Sequence, residues 1–153
     1  MSPINDIAVV TLDREVRGPA IMTVCLPDPA HPVSLTSKLT VAGWGANTTN
    51  SKAKSVTKLQ FAELETTSVR SCQAQYSRVL QATSARVEVK DSMLCAGGGH
   101  GEEDTCRGDS GGPLVRELQS GLEYELAGIQ SFGSRICGNV GNEGGPVQSS
   151  SDV

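Results

Sequence analysis

An all-β barrel or sandwich is the fold class that this 153-residue sequence predicts. Three observations carry that prediction. Short runs rich in Val, Ile, Leu and Thr recur along the chain, and clusters of Gly, Pro, Asn and Ser separate them. Aromatic residues make up only 3% of the chain against 17 glycines, a balance that suits short strands and turns better than a helical bundle.

The elements follow in chain order. Strand-like runs cover 7–12, 38–43, 57–64, 112–116 and 122–132. Turn chemistry separates them at Leu26-Pro27-Asp28-Pro29, Gly43-Trp44-Gly45-Ala46-Asn47, Gly97-Gly98-Gly99 and Ser120-Gly121. One helix is predicted from Ser68 to Ser77, with Ser68 as its cap. The stretch Asn47-Thr48-Thr49-Asn50-Ser51-Lys52-Ala53-Lys54 is polar and reads as a surface loop. It contains an Asn-x-Thr glycosylation acceptor at Asn47. The tail from Gly141 to Val153 is rich in Gly and Ser, carries neither strand nor helix periodicity, and is expected to be disordered.

Bulk properties exclude several function classes. The net charge is −4 and the isoelectric point about 5.1, so nucleic-acid binding has no electrostatic support. No apolar run approaches the roughly 20 residues that span a bilayer. Met1-Ser2-Pro3-Ile4-Asn5-Asp6 has neither the basic start nor the apolar core of a signal peptide. The chain enters its first strand-like run almost at once, as a sequence starting inside a domain would. Five cysteines occur, Cys25, Cys72, Cys95, Cys106 and Cys137, in spacings that fit no zinc motif. A disulfide framework in an oxidising compartment is the expectation, with at least one thiol lacking an internal partner. No metal or cofactor site is predicted.

The chemistry-bearing segment is Asp104-Thr105-Cys106-Arg107-Gly108-Asp109-Ser110-Gly111, continuing into Gly112-Pro113-Leu114. Its glycines let the backbone bend sharply around Ser110 and leave N–H groups free. Such a backbone can hold a nucleophilic hydroxyl beside amide donors aimed at a developing oxyanion. An α/β-hydrolase elbow is excluded as a reading of Gly108-x-Ser110-x-Gly112. That fold needs a helix after the serine, where Pro113-Leu114-Val115 reads as strand, and a later histidine, and none occurs beyond His100.

This segment resembles the nucleophile loop of trypsin-like (chymotrypsin-fold) serine proteases, and five further motifs stand in that family's order. They are Asn5-Asp6-Ile7-Ala8, Val24-Cys25-Leu26-Pro27, Val41-Ala42-Gly43-Trp44-Gly45, Met93-Leu94-Cys95-Ala96-Gly97 and Gly128-Ile129-Gln130-Ser131-Phe132-Gly133. Leu12-Asp13-Arg14-Glu15-Val16 and Gln130-Ser131-Phe132-Gly133 look like the clip-domain proteases of arthropods. The resemblance implies a chymotrypsin-like double β-barrel, of which this chain holds mostly the second barrel. Residues 1–30 would be a remnant of the first barrel with the inter-barrel linker, 31–140 the second barrel, and 141–153 a divergent tail.

The same resemblance assigns roles. Ser110 would attack the scissile carbonyl, and the N–H groups of Gly108 and Ser110 would bind the oxyanion. Asp6 would orient the imidazole, with Ser131 supporting that aspartate. Asp104 would form the base of the primary pocket and favour substrates with Arg or Lys before the cleaved bond, Gly133 leaving room for the side chain. Asp109 would pair with an N-terminal amine freed by zymogen cleavage. Disulfides Cys72–Cys95 and Cys106–Cys137 are implied, which leaves Cys25 for a pro-segment. In many relatives a further disulfide joins the positions of Leu39 and Arg116, and here neither is cysteine.

The required histidine is missing from the expected place. It should precede Asp6, but only five residues do, and the two histidines present, His31 and His100, read as solvated loop residues. Without a base the hydroxyl stays protonated and weakly nucleophilic. The expected function is therefore a secreted trypsin-like serine endopeptidase acting on proteins or peptides, inactive as this chain alone. The alternative is a non-catalytic protease homologue that binds or regulates a partner.

Overall fold

The computed structural model describes residues 5–35, 37–48, 54–80, 88–97, 104–118, 121, 123–133 and 148–152. Within these, six strands form one antiparallel sheet with a single helix beside it. The strands are β1 (Lys38–Gly43), β2 (Gln60–Thr67), β3 (Met93–Gly97), β4 (Pro113–Glu117), β5 (Tyr124–Ile129) and β6 (Gln148–Asp152), and the helix α1 is Val69–Leu80. The order across the sheet is β5-β4-β1-β2-β3-β6. Its two end strands, β5 and β6, approach one another, so the sheet curls into a half-barrel. This is the all-β class expected, and it is consistent with a fragment of a chymotrypsin-like barrel.

The curl encloses one side of strands β1 to β5. Leu39 and Val41 of β1, Leu64 of β2, Ala96 of β3, Leu114 of β4 and Ala127 of β5 meet in one buried cluster, joined by Val33, Ala62 and Leu94 at its margin. Alternation explains the selection: Leu64 is buried while its neighbours Glu63 and Glu65 face water. The β4–β5 ladder slips by one residue beyond Leu114, leaving Ala127 as the extra residue on β5. Such a bulge bends the strand and helps the sheet to turn.

Helix α1 begins at its predicted cap, where Ser68 Oγ accepts the N–H of Ser71 at 3.1 Å. It runs past the predicted end to Leu80. Ser77, read from the sequence as a terminus, instead donates its hydroxyl to Gln73 O at 2.8 Å and stays inside the helix. Val69, Cys72 and Tyr76 lie on the face that packs against Val89, Met93 and Cys95, a second small core. The Cys72–Cys95 disulfide ties the helix to β3, as the sequence implied.

Several expectations are corrected. The run 7–12 forms no strand; it is extended and outward-facing, with Val9 92% and Val10 79% exposed. A strand needs a neighbour to pair its backbone and cover its apolar face, and no described residue supplies one. The run 57–64 shifts to Gln60–Thr67 because pairing starts where Gly43 meets Gln60. The segment 112–116 moves to Pro113–Glu117, and 122–132 shortens to Tyr124–Ile129 because residues beyond it bond to the nucleophile loop instead. The tail, expected to be disordered, contributes β6, in which Gln148–Asp152 pairs with β3. β3 itself carried no strand assignment in the sequence.

The segment 25–32, a linker leading toward β1, is pinned to the outer edge of the sheet. Cys25 forms an isolated parallel bridge with Glu125, its N–H donating to Tyr124 O at 2.9 Å and its carbonyl accepting from Leu126 N at 2.8 Å. Glu125 is buried and pairs with Arg116 directly across the ladder at 2.7 Å. The same guanidinium donates to His31 O at 2.9 Å, so one side chain joins β4, β5 and the linker.

Two outcomes follow for stability. Leu64→Ala removes a fully buried side chain from the centre of the cluster and should cost about 3 kcal/mol, read as a lower urea midpoint; a loss near zero would mean the cluster is not the core. Glu125→Ala strands the guanidinium and should also cost about 3 kcal/mol, whereas the double change Glu125→Leu with Arg116→Met should cost clearly less than that single one.

Candidate active site

The loop around Ser110, expected to be the nucleophile loop, is a pair of tight turns. Asp109 N–H donates to Cys106 O at 3.0 Å, and Gly112 N–H donates to Asp109 O at 2.9 Å. Gly108 and Gly111 take φ values of +99° and +80°, a region that side chains with a Cβ rarely adopt. Ser110 stands exposed between them. The Gly108 and Ser110 N–H groups, expected to bind an oxyanion, have no acceptor among the described residues.

The Asp109 side chain holds the loop from beneath. Its Oδ1 accepts the Gly45 N–H at 2.8 Å and its Oδ2 accepts the Cys106 N–H at 2.9 Å. A Cβ at Gly45 would stand 2.5 Å from three atoms of that carboxylate group, and one at Gly43 would come closer still. The Gly43-Trp44-Gly45 motif is therefore the space that Asp109 fills. A further bond, Ala46 N–H to Arg107 O at 2.8 Å, draws the same two segments together.

Gln130 fixes the loop's other side. Its carbonyl accepts from Gly111 N at 2.8 Å and its N–H donates to Gly112 O at 2.9 Å. Its side-chain Oε1 is buried without a partner among the described residues. The next residue, Ser131, donates its hydroxyl to Asp6 Oδ2 at 2.7 Å. Asn5, with φ 57°, kinks the chain just before that aspartate, in a conformation asparagine tolerates. Asp6, Ser131, Gln130 and the glycines after Ser110 thus form one connected run.

Asp104 caps its own neighbour, accepting the Thr105 N–H at 2.7 Å. It also lies close enough to Tyr76 to be felt there. Burial pushes the Tyr76 phenol well above its ordinary range, and the negative charge of Asp104 adds to the rise. Tyr76 packs on Phe132 with ring centroids 5.7 Å apart, and Gly133 follows, exposed. Tyr76 thus links helix α1 to Phe132 through its ring and feels the charge of Asp104.

Other expected residues fall elsewhere. His31 Nδ1 lies 2.7 Å from Asp28 Oδ2, and this hydrogen bond, with that from Ala30 N–H, lowers the Asp28 pKa. No hydrogen bond joins His31 to Ser110 or Asp6. His100 and Cys137 lie outside the described residues. Cys106 is disulfide-bonded, while Cys25 is an exposed free thiol. The Asp109–Gly45 bond, the Gln130 clamp and the Tyr76 flank were not read from the sequence. Only the spacing of the Gly-Trp-Gly motif could have hinted at the first.

Comparison with known proteins fits this geometry. The trypsin family model matches residues 2–151. Phenoloxidase-activating factor 3 of Holotrichia diomphalia is 34% identical over 139 residues, covering 90% of this chain and 36% of that protein. Melanization protease 1 of Drosophila melanogaster is 40% identical over 144 residues, 90% of this chain and 34% of its own. CLIP domain-containing serine protease B4 of Anopheles gambiae is 37% identical over 147 residues, 92% of this chain and 37% of its own. The chain thus spans about a third of the length of these relatives. With the nucleophile loop, the Asp6–Ser131 contact and these matches in hand, the chain belongs to the trypsin family of serine proteases.

Proposed function

We propose that this chain carries the nucleophile and primary specificity site of a secreted endopeptidase that cuts after Arg or Lys through an acyl-enzyme. The observation that carries the reading is the 2.7 Å bond from Ser131 to Asp6, one residue from the Gln130 clamp on the nucleophile loop. It joins an aspartate and a serine loop that are distant in sequence, as a triad requires.

In this reading the Ser110 hydroxyl attacks the scissile carbonyl, and the charge developing on its oxygen is met by the N–H groups of Gly108 and Ser110. Both donors are preorganised by bonds made elsewhere in the loop, so little rearrangement is needed when charge develops. Asp6 orients and stabilises an imidazole that takes the serine proton. Asp104 pairs with the cationic side chain of the substrate. Cys25, exposed and unbonded, would link to a pro-segment.

Neither histidine of residues 1–153 supports a role as that base: His31 bonds Asp28 and makes no hydrogen bond to Asp6 or Ser110, and His100 follows three glycines in a loop sequence. Residues 1–153 alone are therefore inactive in this reading. Retention of Ser110, Asp6 and Asp104 weighs against a purely binding homologue, which needs none of the three.

Two measurements test this. Residues 1–153 should hydrolyse an arginyl ester at least roughly 10⁴-fold more slowly than an intact trypsin-like enzyme, because losing one triad member has an effect of that order; comparable turnover would refute the assignment of a missing base. Arginine amide, titrated by NMR, should bind the chain and lose about tenfold in affinity on Asp104→Asn, the worth of one charge-assisted contact. An unchanged affinity would remove Asp104 from the specificity site.

A further inference from the structure

The sequence contains a single Asn-x-Ser/Thr acceptor, Asn47-Thr48-Thr49. Asn47 is exposed, and its side-chain amide has no partner among the described residues. It follows β1 in an irregular stretch, the setting that an acceptor segment needs in order to extend into a transferase. The Cys72–Cys95 disulfide places the chain in an oxidising compartment, where such transfer takes place.

The position of Asn47 gives the acceptor a consequence. Ala46, its neighbour, donates its N–H to Arg107 O at 2.8 Å, and Arg107 immediately precedes the oxyanion glycine Gly108. Gly45, two residues before Asn47, holds Asp109. The Thr48 carbonyl lies 3.9 Å from Cys106 Sγ. A Cβ at Gly108 would meet Gly45 Cα at 3.2 Å and Ser55 Oγ at 3.3 Å. The segment carrying Asn47 is thus seated on the nucleophile loop, and a sugar there would stand at its rim.

We propose that Asn47 is N-glycosylated and that the glycan screens the nucleophile loop from macromolecules while leaving small ligands free access. The transfer balances with a lipid-linked diphospho-oligosaccharide as co-reactant. Asn47 Nδ2 attacks the anomeric carbon, an N–C bond forms, the bond from that carbon to the diphosphate oxygen breaks, and one amide proton passes to a base of the transferase. The screening of catalysis rests on the proteolytic reading given above; the modification does not.

The test secretes the chain from insect cells behind a secretion leader. Peptide N-glycosidase should raise its mobility and convert the Asn47 amide to an acid, and both Asn47→Gln and Thr49→Val should abolish that shift. An unmodified Asn47 peptide in cell extract and medium alike would overturn the proposal. Exogenous trypsin should cut after Lys54 and Arg107, both exposed, severalfold more slowly before deglycosylation than after, while arginine amide binds both forms equally. Equal cutting would overturn the screening. Loss of arginine amide binding in both forms would sink the proteolytic reading and leave the modification standing.

Discussion

The carboxylate of Asp109 accepts two backbone hydrogen bonds, from Gly45 and from Cys106, and the shape of the nucleophile loop depends on that pair. With its oxygens held beneath the loop, the Asp109 main chain must fold over them, closing turns to Cys106 and to Gly112. The glycines on either side absorb the positive φ that this demands. Ser110 is left outward, and its N–H and that of Gly108 are left without acceptors among the described residues. A charged group bonded to backbone amides is worth more than a neutral one, and this one spans two elements far apart in sequence. A methyl group at Gly43 or Gly45 would occupy the same space. The active loop and the end of β1 are thus one packing unit.

What the sequence revealed, and what it did not, divides by the range of the interaction. The Ser68 cap, the helix it starts and the strand at Lys38–Gly43 were legible because neighbouring residues decide them. The Asp6–Ser131 contact was legible because both residues sit in recognisable motifs. The Asp109–Gly45 bond was not, since it joins positions 64 apart and no local pattern reports it. β6 was missed because Gln148-Ser149-Ser150-Ser151-Asp152 has no apolar alternation; its pairing with β3 is made by backbone groups, which every sequence has. The run 7–12 failed in the opposite sense. Its composition is right for a strand, but a strand is a relation between two segments, and only one is present among the described residues.

That run has an energetic meaning. Ile7, Val9, Val10, Leu12, Val16, Ile21, Met22 and Leu26 are all more than half exposed. Water-exposed apolar surface on this scale marks a contact face or an aggregation hazard, because each such side chain forgoes about 1.5–3 kcal/mol of burial. The two ends of this long segment are tied to distant residues, Asp6 to Ser131 and Cys25 to the edge of β5. The aspartate assigned to the triad therefore reaches its place through a segment with little packing of its own. The Ser131 hydroxyl, 2.7 Å from Asp6 Oδ2, is one of the contacts that hold it there.

The Arg116–Glu125 pair cross-links the sheet by charge where a covalent tie is absent from the positions of Leu39 and Arg116. The β1–β4 register, with Thr40 facing Val115 and Val41 facing Leu114, puts Leu39 across from Arg116. Here Leu39 is given to the core, and Arg116 turns to Glu125 on β5 and to His31 O in the linker. A disulfide restrains two points; a guanidinium with several donors restrains three, but only while its charge is matched. Its Nε has no partner among the described residues, so the arrangement carries one unpaired buried donor. What this chain gains is a tie between the linker and the strands that lead directly into the nucleophile loop and the 130–133 segment.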